Sequence, residues 1–157
     1  MAAGSSRRFG SDKRLAKLNN GEAILSQTVH NIAETNMEYK IAIPAKDRKQ
    51  FSQLFLPERL ILIKKSHRGI GQSISEAIHT IRDTYPHCLI CLADMPYILP
   101  STYQSIADSI CHYDAVIPHY NGTKGNPVAI SSSLFDQFSA LNDDKGGQDI
   151  LKSKAIN

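Results

Sequence analysis

Apolar positions along the chain alternate between two periods. Short runs rich in Ile and Val recur at 39–44 (YKIAIP), 60–64 (LILIK), 88–93 (CLICLA), 115–118 (AVIP) and 127–130 (PVAI), and each predicts a strand buried on both faces. Between these runs the spacing turns helical. Ile24, Leu25, Val29 and Ile32 make one stripe, with Gly21 and Glu22 at its start, and Ile70, Ile74, Ala77, Ile78 and Ile81 make a second. Residues 101–113 predict a third helix, 46–55 a less regular one and 132–141 a short fifth. The alternation predicts an α/β fold: a Rossmann-like three-layer sandwich, with a mostly parallel sheet, helices on both faces and right-handed crossovers. In such sheets ligands bind beyond the carboxyl ends of the strands, so residues just after the strands are the first candidates for chemistry.

Composition narrows the class. With 157 residues, 41% hydrophobic and 21% charged, the chain can bury a core, and residues 1–157 read as one domain without repeats or linkers. Eighteen Lys and Arg against fifteen Asp and Glu give a net charge of +3, too mild to indicate a nucleic-acid partner. No apolar run reaches the ~20 residues of a membrane span. No apolar stretch follows Arg7-Arg8 as a secretory signal would require, so a soluble, cytoplasmic location is expected. The odd cysteine count forms no disulfide framework. Cys88 and Cys91 have C-x-x-C spacing but sit within a strand run, Cys111 and His112 lack further partners, and all three thiols read as structural.

Four segments carry candidate chemistry. MAAGSSRRFGSDKR is dense in small residues and cations. Gly4 and Gly10 permit close backbone approach, Ser5 and Ser6 offer hydroxyls, and Arg7, Arg8, Lys13 and Arg14 could neutralise a polyanion. It is neither a Walker A loop nor a G-x-G-x-x-G turn, and on composition alone a disordered basic terminus is an equal alternative. Asp94, in Ala93-Asp94-Met95-Pro96 after CLICL, could hold Mg2+ beside phosphates or simply cap a turn. Gly69-Ile70-Gly71-Gln72-Ser73 is either an anion-accepting helix start or a tight strand-to-helix turn. Gly125-Asn126-Pro127-Val128 reads as a turn into a strand. The histidines show no metal-ligand spacing, though His67 and His119 follow strands. The scattered tyrosines form no stacking platform for nucleic acid.

The opening segment resembles the signature L-A-A-G-x-S-x-R-F-G-x-x-K of the MobA-like nucleotidyltransferases, and its A-A-G form is most similar to the branch of molybdenum cofactor cytidylyltransferases. The resemblance implies the nucleotide-diphospho-sugar transferase type of sheet. It also implies that Ala3, Gly4 and Ser5 line a nucleotide, and that Arg8 and Lys13 hold phosphates and assist transfer. Asp94, in a matching A-D-M-P, is implied as the Mg2+ ligand, and Gly69 and Ser73 as base contacts. Gly125 and Pro127, in a G-x-P-V-like turn, would border the acceptor pocket. Asp143-Asp144-Lys145-Gly146-Gly147-Gln148 resembles G-D-x-G-A-R in part: Asp144 and Gly146 carry over, but Gln148 stands where the family has Arg.

The implied reaction transfers CMP from CTP to a phosphorylated molybdopterin-type acceptor with release of pyrophosphate. The alternatives are another nucleotide or acceptor, such as GTP or a sugar phosphate, and a non-catalytic nucleotide-binding relic. Family members also carry an apolar strand ahead of L-A-A-G and an acidic segment, bearing a second metal carboxylate, beyond the position of Asn157. The expectation is therefore a truncated first strand and a chain short at both ends, for which a homodimer partner is one compensation.

Overall fold

The computed structural model describes residues 1–4, 12–142 and 146–154. In chain order it places α1 at Ile24–Ala33, β1 at Ile41–Pro44, α2 at Arg48–Phe51, β2 at Leu60–Ile63 and α3 at Ile70–Ile81. Then come β3 at His87–Ile90, α4 at Pro100–Ser109, β4 at Ala115–Val116, β5 at His119–Tyr120, β6 at Thr123–Lys124, β7 at Val128–Ser131, α5 at Phe135–Ser139 and α6 at Gln148–Lys154. Each apolar run thus becomes a strand, and each helical stripe a helix. The apolar pattern did not predict α6, a short helix in a glycine-rich stretch.

Alternation along the strands builds the layers. On β1, Ile41 and Ile43 cluster with Leu25 and Val29 of α1 and with Phe51 of α2, whereas Ala42 clusters with Ala77 of α3. On β7, Val128 and Ile130 turn to α3 and α5, whereas Ala129 turns to Ile106 of α4. Helices therefore cover both sheet faces, with α3 bridging the clusters on one of them. Each fully buried side chain here, such as Phe51 or Ile43, stabilises the fold by about 1.5–3 kcal/mol. Local signals set the helix starts: Pro100 opens α4, where a missing N–H costs nothing, and Gly69 precedes α3 with φ 110°, which favours glycine.

Strand direction is where the structure adds most. β1 and β2 pair in parallel, but β7 lies between β3 and β4 and runs antiparallel to both. The β5–β6 hairpin, not a helix, fills the link from β4 to β7, and a chain without a crossover returns antiparallel. Among the described residues the β1–β2 and β3–β7–β4 sheets share no strand pairing, and Met1 and Ala2 bridge them: the Ala2 N–H donates to the Ala42 carbonyl (2.8 Å) and the Ala93 N–H to the Met1 carbonyl (3.0 Å). A largely apolar cavity of about 390 Å3 opens there, lined by Ile41, Ala42, Leu89, Ile90 and Tyr103 among others. This corrects one expectation. β3 is half-buried along its whole length because β7 covers one edge and the other meets the cavity.

Cys88 and Cys91 line that cavity. Burial pushes the Cys88 thiol up to about 12, with a smaller push from Cys91, and burial raises Cys91 to about 11. At pH 8 such thiols are ionised to roughly one part in a thousand or less, and the thiolate is the reactive form. A colorimetric thiol titration is expected to count one fast thiol in the native protein, the exposed Cys111, and three after denaturation. Three fast native thiols would contradict this. No helix among the described residues is long and apolar enough to cross a membrane.

Candidate active site

A second cavity, of about 660 Å3, lies at the carboxyl-end side of the strands, a size suited to a nucleotide-scale ligand. It brings together Ala3, Gly4, Lys13, Gly69, Ser73 and Asp94, and adds Ser66 and His67 from the turn after β2. Ser5, Arg8 and Asp144 lie outside the described residues. Gly125 and Pro127 are not part of the cavity lining. They precede β7, whose Val128 pairs with Ile90 at the carboxyl end of β3, so they stand at the sheet end from which Asp94 follows. Gly146 backs the start of α3: a Cβ there would come within 3.2 Å of the Ile70 side chain.

The charges face each other across this cavity. Lys13 Nζ donates to Asp94 Oδ2 at 2.8 Å, and the two side chains are 38% and 43% exposed. At that exposure the pair adds about 0–1 kcal/mol to stability, and it sets a cation and an anion side by side in the cavity lining. The Asp94 turn is fixed by α1. The buried Thr28 hydroxyl shares its proton between the Ile24 carbonyl (2.9 Å) and the Ala93 carbonyl (3.2 Å). One turn on, Asn31 Nδ2 donates to the Pro96 and Ile98 carbonyls, both at 2.9 Å. These bonds hold backbone on either side of Asp94 and leave its carboxylate facing the cavity. The sequence reading missed both residues; the available signal was two polar side chains beside the apolar stripe of α1.

Across the cavity, α3 begins without a side-chain cap, so its N-terminal amides present the positive end of a helix dipole. The Ser73 hydroxyl is committed as a donor to the Gly69 carbonyl (3.1 Å), leaving its lone pairs to accept. The Glu76 carboxylate accepts the Lys64 and Lys65 N–H groups at 2.7 and 2.9 Å, and so ties the turn after β2 to α3.

Arg14 also lines this cavity, and its guanidinium is engaged by two carboxylates, with Nη2 2.6 Å from Asp12 Oδ2 and 2.7 Å from Asp47 Oδ2. Burial works against its charge, but the hydrogen bonds to Asp12 and Asp47 outweigh that and raise its pKa. Hydrogen bonding from Arg14 in turn holds the Asp12 carboxyl below its usual value, against some desolvation. Asp12 therefore contributes stability that is complete above the unfolded-state pKa of about 4 and is lost as pH falls through its depressed folded value. An NMR titration of its carboxyl carbon is expected to give a midpoint under the normal Asp range, and Asp12→Asn should flatten the acid limb of the stability curve. A normal midpoint would contradict the pairing.

Among the described residues, no group of three or more His, Cys, Asp or Glu side chains could hold a metal ion by itself. The donor set instead fits a hard cation completed by its substrate. Mg2+ commonly takes one or two carboxylates and fills its shell with phosphate oxygens and water, and Asp94 can provide one such carboxylate.

The family described as MobA-like NTP transferase domain matches residues 1–156. No curated protein matches the chain. Among solved structures, Rv0371c from Mycobacterium tuberculosis H37Rv superposes with a TM-score of 0.81 at 21% identity, covering 97% of this chain and 79% of that one. A manganese complex of Rv0371c gives a TM-score of 0.77 at 17% identity, with 99% and 80% coverage. Molybdopterin-guanine dinucleotide biosynthesis protein A from Archaeoglobus fulgidus gives 0.61 at 19% identity, with 87% and 68% coverage. At such identities the shared property is the fold.

Proposed function

Because the chain belongs to the MobA-like NTP transferase family, and so to the nucleotidyltransferases, we propose that it transfers CMP from CTP to a phosphorylated molybdopterin-type acceptor with the aid of Mg2+. The observation that carries this reading is the Lys13–Asp94 pair, set in a nucleotide-sized cavity beside the Gly4 backbone and the start of α3. The A-A-G form of the opening motif favours the cytidylyl donor. An acceptor phosphate oxygen attacks the α-phosphorus in line, the bond from that phosphorus to the bridging oxygen breaks, and pyrophosphate leaves with the electron pair. Positioning and charge neutralisation supply most of the catalysis in such a transfer, and no covalent nucleophile is required.

The chain's residues divide this work. When substrate enters, the Lys13–Asp94 pair separates. Lys13 turns to the phosphates and counters the charge growing on the leaving pyrophosphate, and Asp94 would hold the cation. Bound Mg2+ would screen phosphate charge and favour the departing pyrophosphate. The amides around Ala3 and Gly4 approach the phosphates, with Ser5 and Arg8 completing that loop in this reading. Gly69 and Ser73 face the base, Ser73 as an acceptor. Gly125, Pro127 and Asp144 border the acceptor, beyond the sheet end where Asp94 stands. The free thiols are in keeping with a reducing cytoplasm as the site of the reaction.

Mixing the protein with CTP, Mg2+ and the phosphorylated pterin is expected to release pyrophosphate. A thermal-shift panel of CTP, GTP, ATP and UTP with Mg2+ ranks the donors, since a ligand at 100 times its Kd stabilises by about 2.7 kcal/mol. Stabilisation by GTP alone would overturn the cytidylyl assignment, and release absent with every acceptor would overturn the reaction.

A further inference from the structure

Arg14 lines the cavity, yet its guanidinium is committed to protein groups on several sides. Its Nη1 donates to the Ala2 carbonyl at 2.8 Å, and its Nε and Nη2 grip the two oxygens of Asp12 at 2.8 and 2.6 Å. Ala2 adjoins Ala3 and Gly4, and Asp12 adjoins Lys13; Ala2, Ala3, Gly4, Lys13 and Arg14 itself line the cavity. One guanidinium thus ties Ala2 to Asp12. It is also moored from outside: Nη2 reaches Asp47 at 2.7 Å, and Cζ sits 4.6 Å from the ring centroid of the fully buried Phe51. This arrangement uses the planar fork of arginine. A lysine ammonium has the charge but cannot reach Ala2, Asp12, the Asp47 anchor and the aromatic face in one fixed geometry. The side chain is only 13% exposed, and its charge is already matched by two carboxylates.

We propose that Arg14 is a positioning residue: it clasps Ala2 and Asp12 together and thereby sets the spacing between the Ala3–Gly4 backbone and Lys13 that receives a polyphosphate. The inference rests on the reading of this cavity as a nucleotide site. Displacing a binding group by about 1 Å can cost up to about a hundredfold, so a loosened clasp should be visible in binding.

The experiment compares wild type, Arg14→Lys, Arg14→Gln and Asp47→Asn by calorimetric titration with inorganic tripolyphosphate and with CTP, each with Mg2+, across a range of salt concentrations. All variants are measured well below their melting temperatures. The expected result is an affinity loss of about tenfold or more in Arg14→Lys and a comparable loss in Arg14→Gln, with the salt dependence unchanged from wild type. Asp47→Asn, which is outside the cavity lining but bonded to Arg14, should show a smaller loss in the same direction and keeps the test open if the Arg14 variants fold poorly. Three results would overturn the proposal. Full affinity in Arg14→Lys with loss in Arg14→Gln and a shallower salt dependence would make Arg14 a direct anion contact. Lowered melting temperatures with unchanged affinity in every variant would make it purely structural. No binding of either probe by wild type would overturn the nucleotide reading, and this inference with it.

Discussion

Asp94→Asn is expected to lower the rate of pyrophosphate release by about 10²–10³-fold at saturating CTP and Mg2+. The substitution keeps the shape of the side chain and removes one negative charge. The turn that carries it should survive, because Thr28 and Asn31 bond to the Ala93, Pro96 and Ile98 carbonyls and not to the Asp94 carboxylate. Loss of the Lys13 ion pair should change stability by no more than about 1 kcal/mol, given how exposed both partners are. The variant should therefore melt close to wild type while failing to turn over, and a progress curve of pyrophosphate release reads the difference. More than a tenth of wild-type activity would show that Asp94 is not the anchor for the metal.

Lys13→Met should produce a comparable loss, about 10²–10³-fold, by removing the cation that meets the charge growing on pyrophosphate. It should also have an effect that a simple loss of function would not. Before ligand arrives, Asp94 is engaged by the Lys13 ammonium at 2.8 Å, so a cation binding alone must displace it. In Lys13→Met that competition is gone, and Mn2+ affinity without nucleotide should rise by roughly twofold to fivefold, the worth of an exposed pair. Electron paramagnetic resonance of free Mn2+ measures it directly. The double variant should be little worse than either single one, because residues that act as a unit lose their effect together. Additive losses, or a fall in Mn2+ affinity, would contradict the pairing.

The strands and most helices were legible because each apolar run is short and each stripe keeps a helical period. Direction was less so. Nothing in the PVAI run distinguishes a parallel strand from the antiparallel β7; the deciding feature is the hairpin that replaces a crossover helix before it. The half-exposure of β3 was equally hidden, because CLICLA reads as doubly buried while the cavity beside it depends on what lies between two sheets.

At the site, Lys13 and Asp94 were found separately by motif, but that they form an ion pair depends on a separation of 81 residues that no local pattern encodes. Its place in a cationic stretch makes Arg14 one of four candidates to neutralise a polyanion, and nothing in that stretch reveals its two carboxylate partners. One of them, Asp12, stands two residues before it, while the second, Asp47, is supplied by the turn after β1. Thr28 and Asn31 act on carbonyls, which have no sequence signature at all.

The central claim is that one cavity uses Lys13 and Asp94 to take a nucleoside triphosphate together with a divalent cation. Calorimetric titration of CTP into wild type and Asp94→Asn, each with and without Mg2+, tests it most directly. The predicted result is that Mg2+ strengthens CTP binding to wild type by about tenfold or more and has little effect on Asp94→Asn. Equal strengthening by Mg2+ in both proteins, or no CTP binding to wild type, would contradict it.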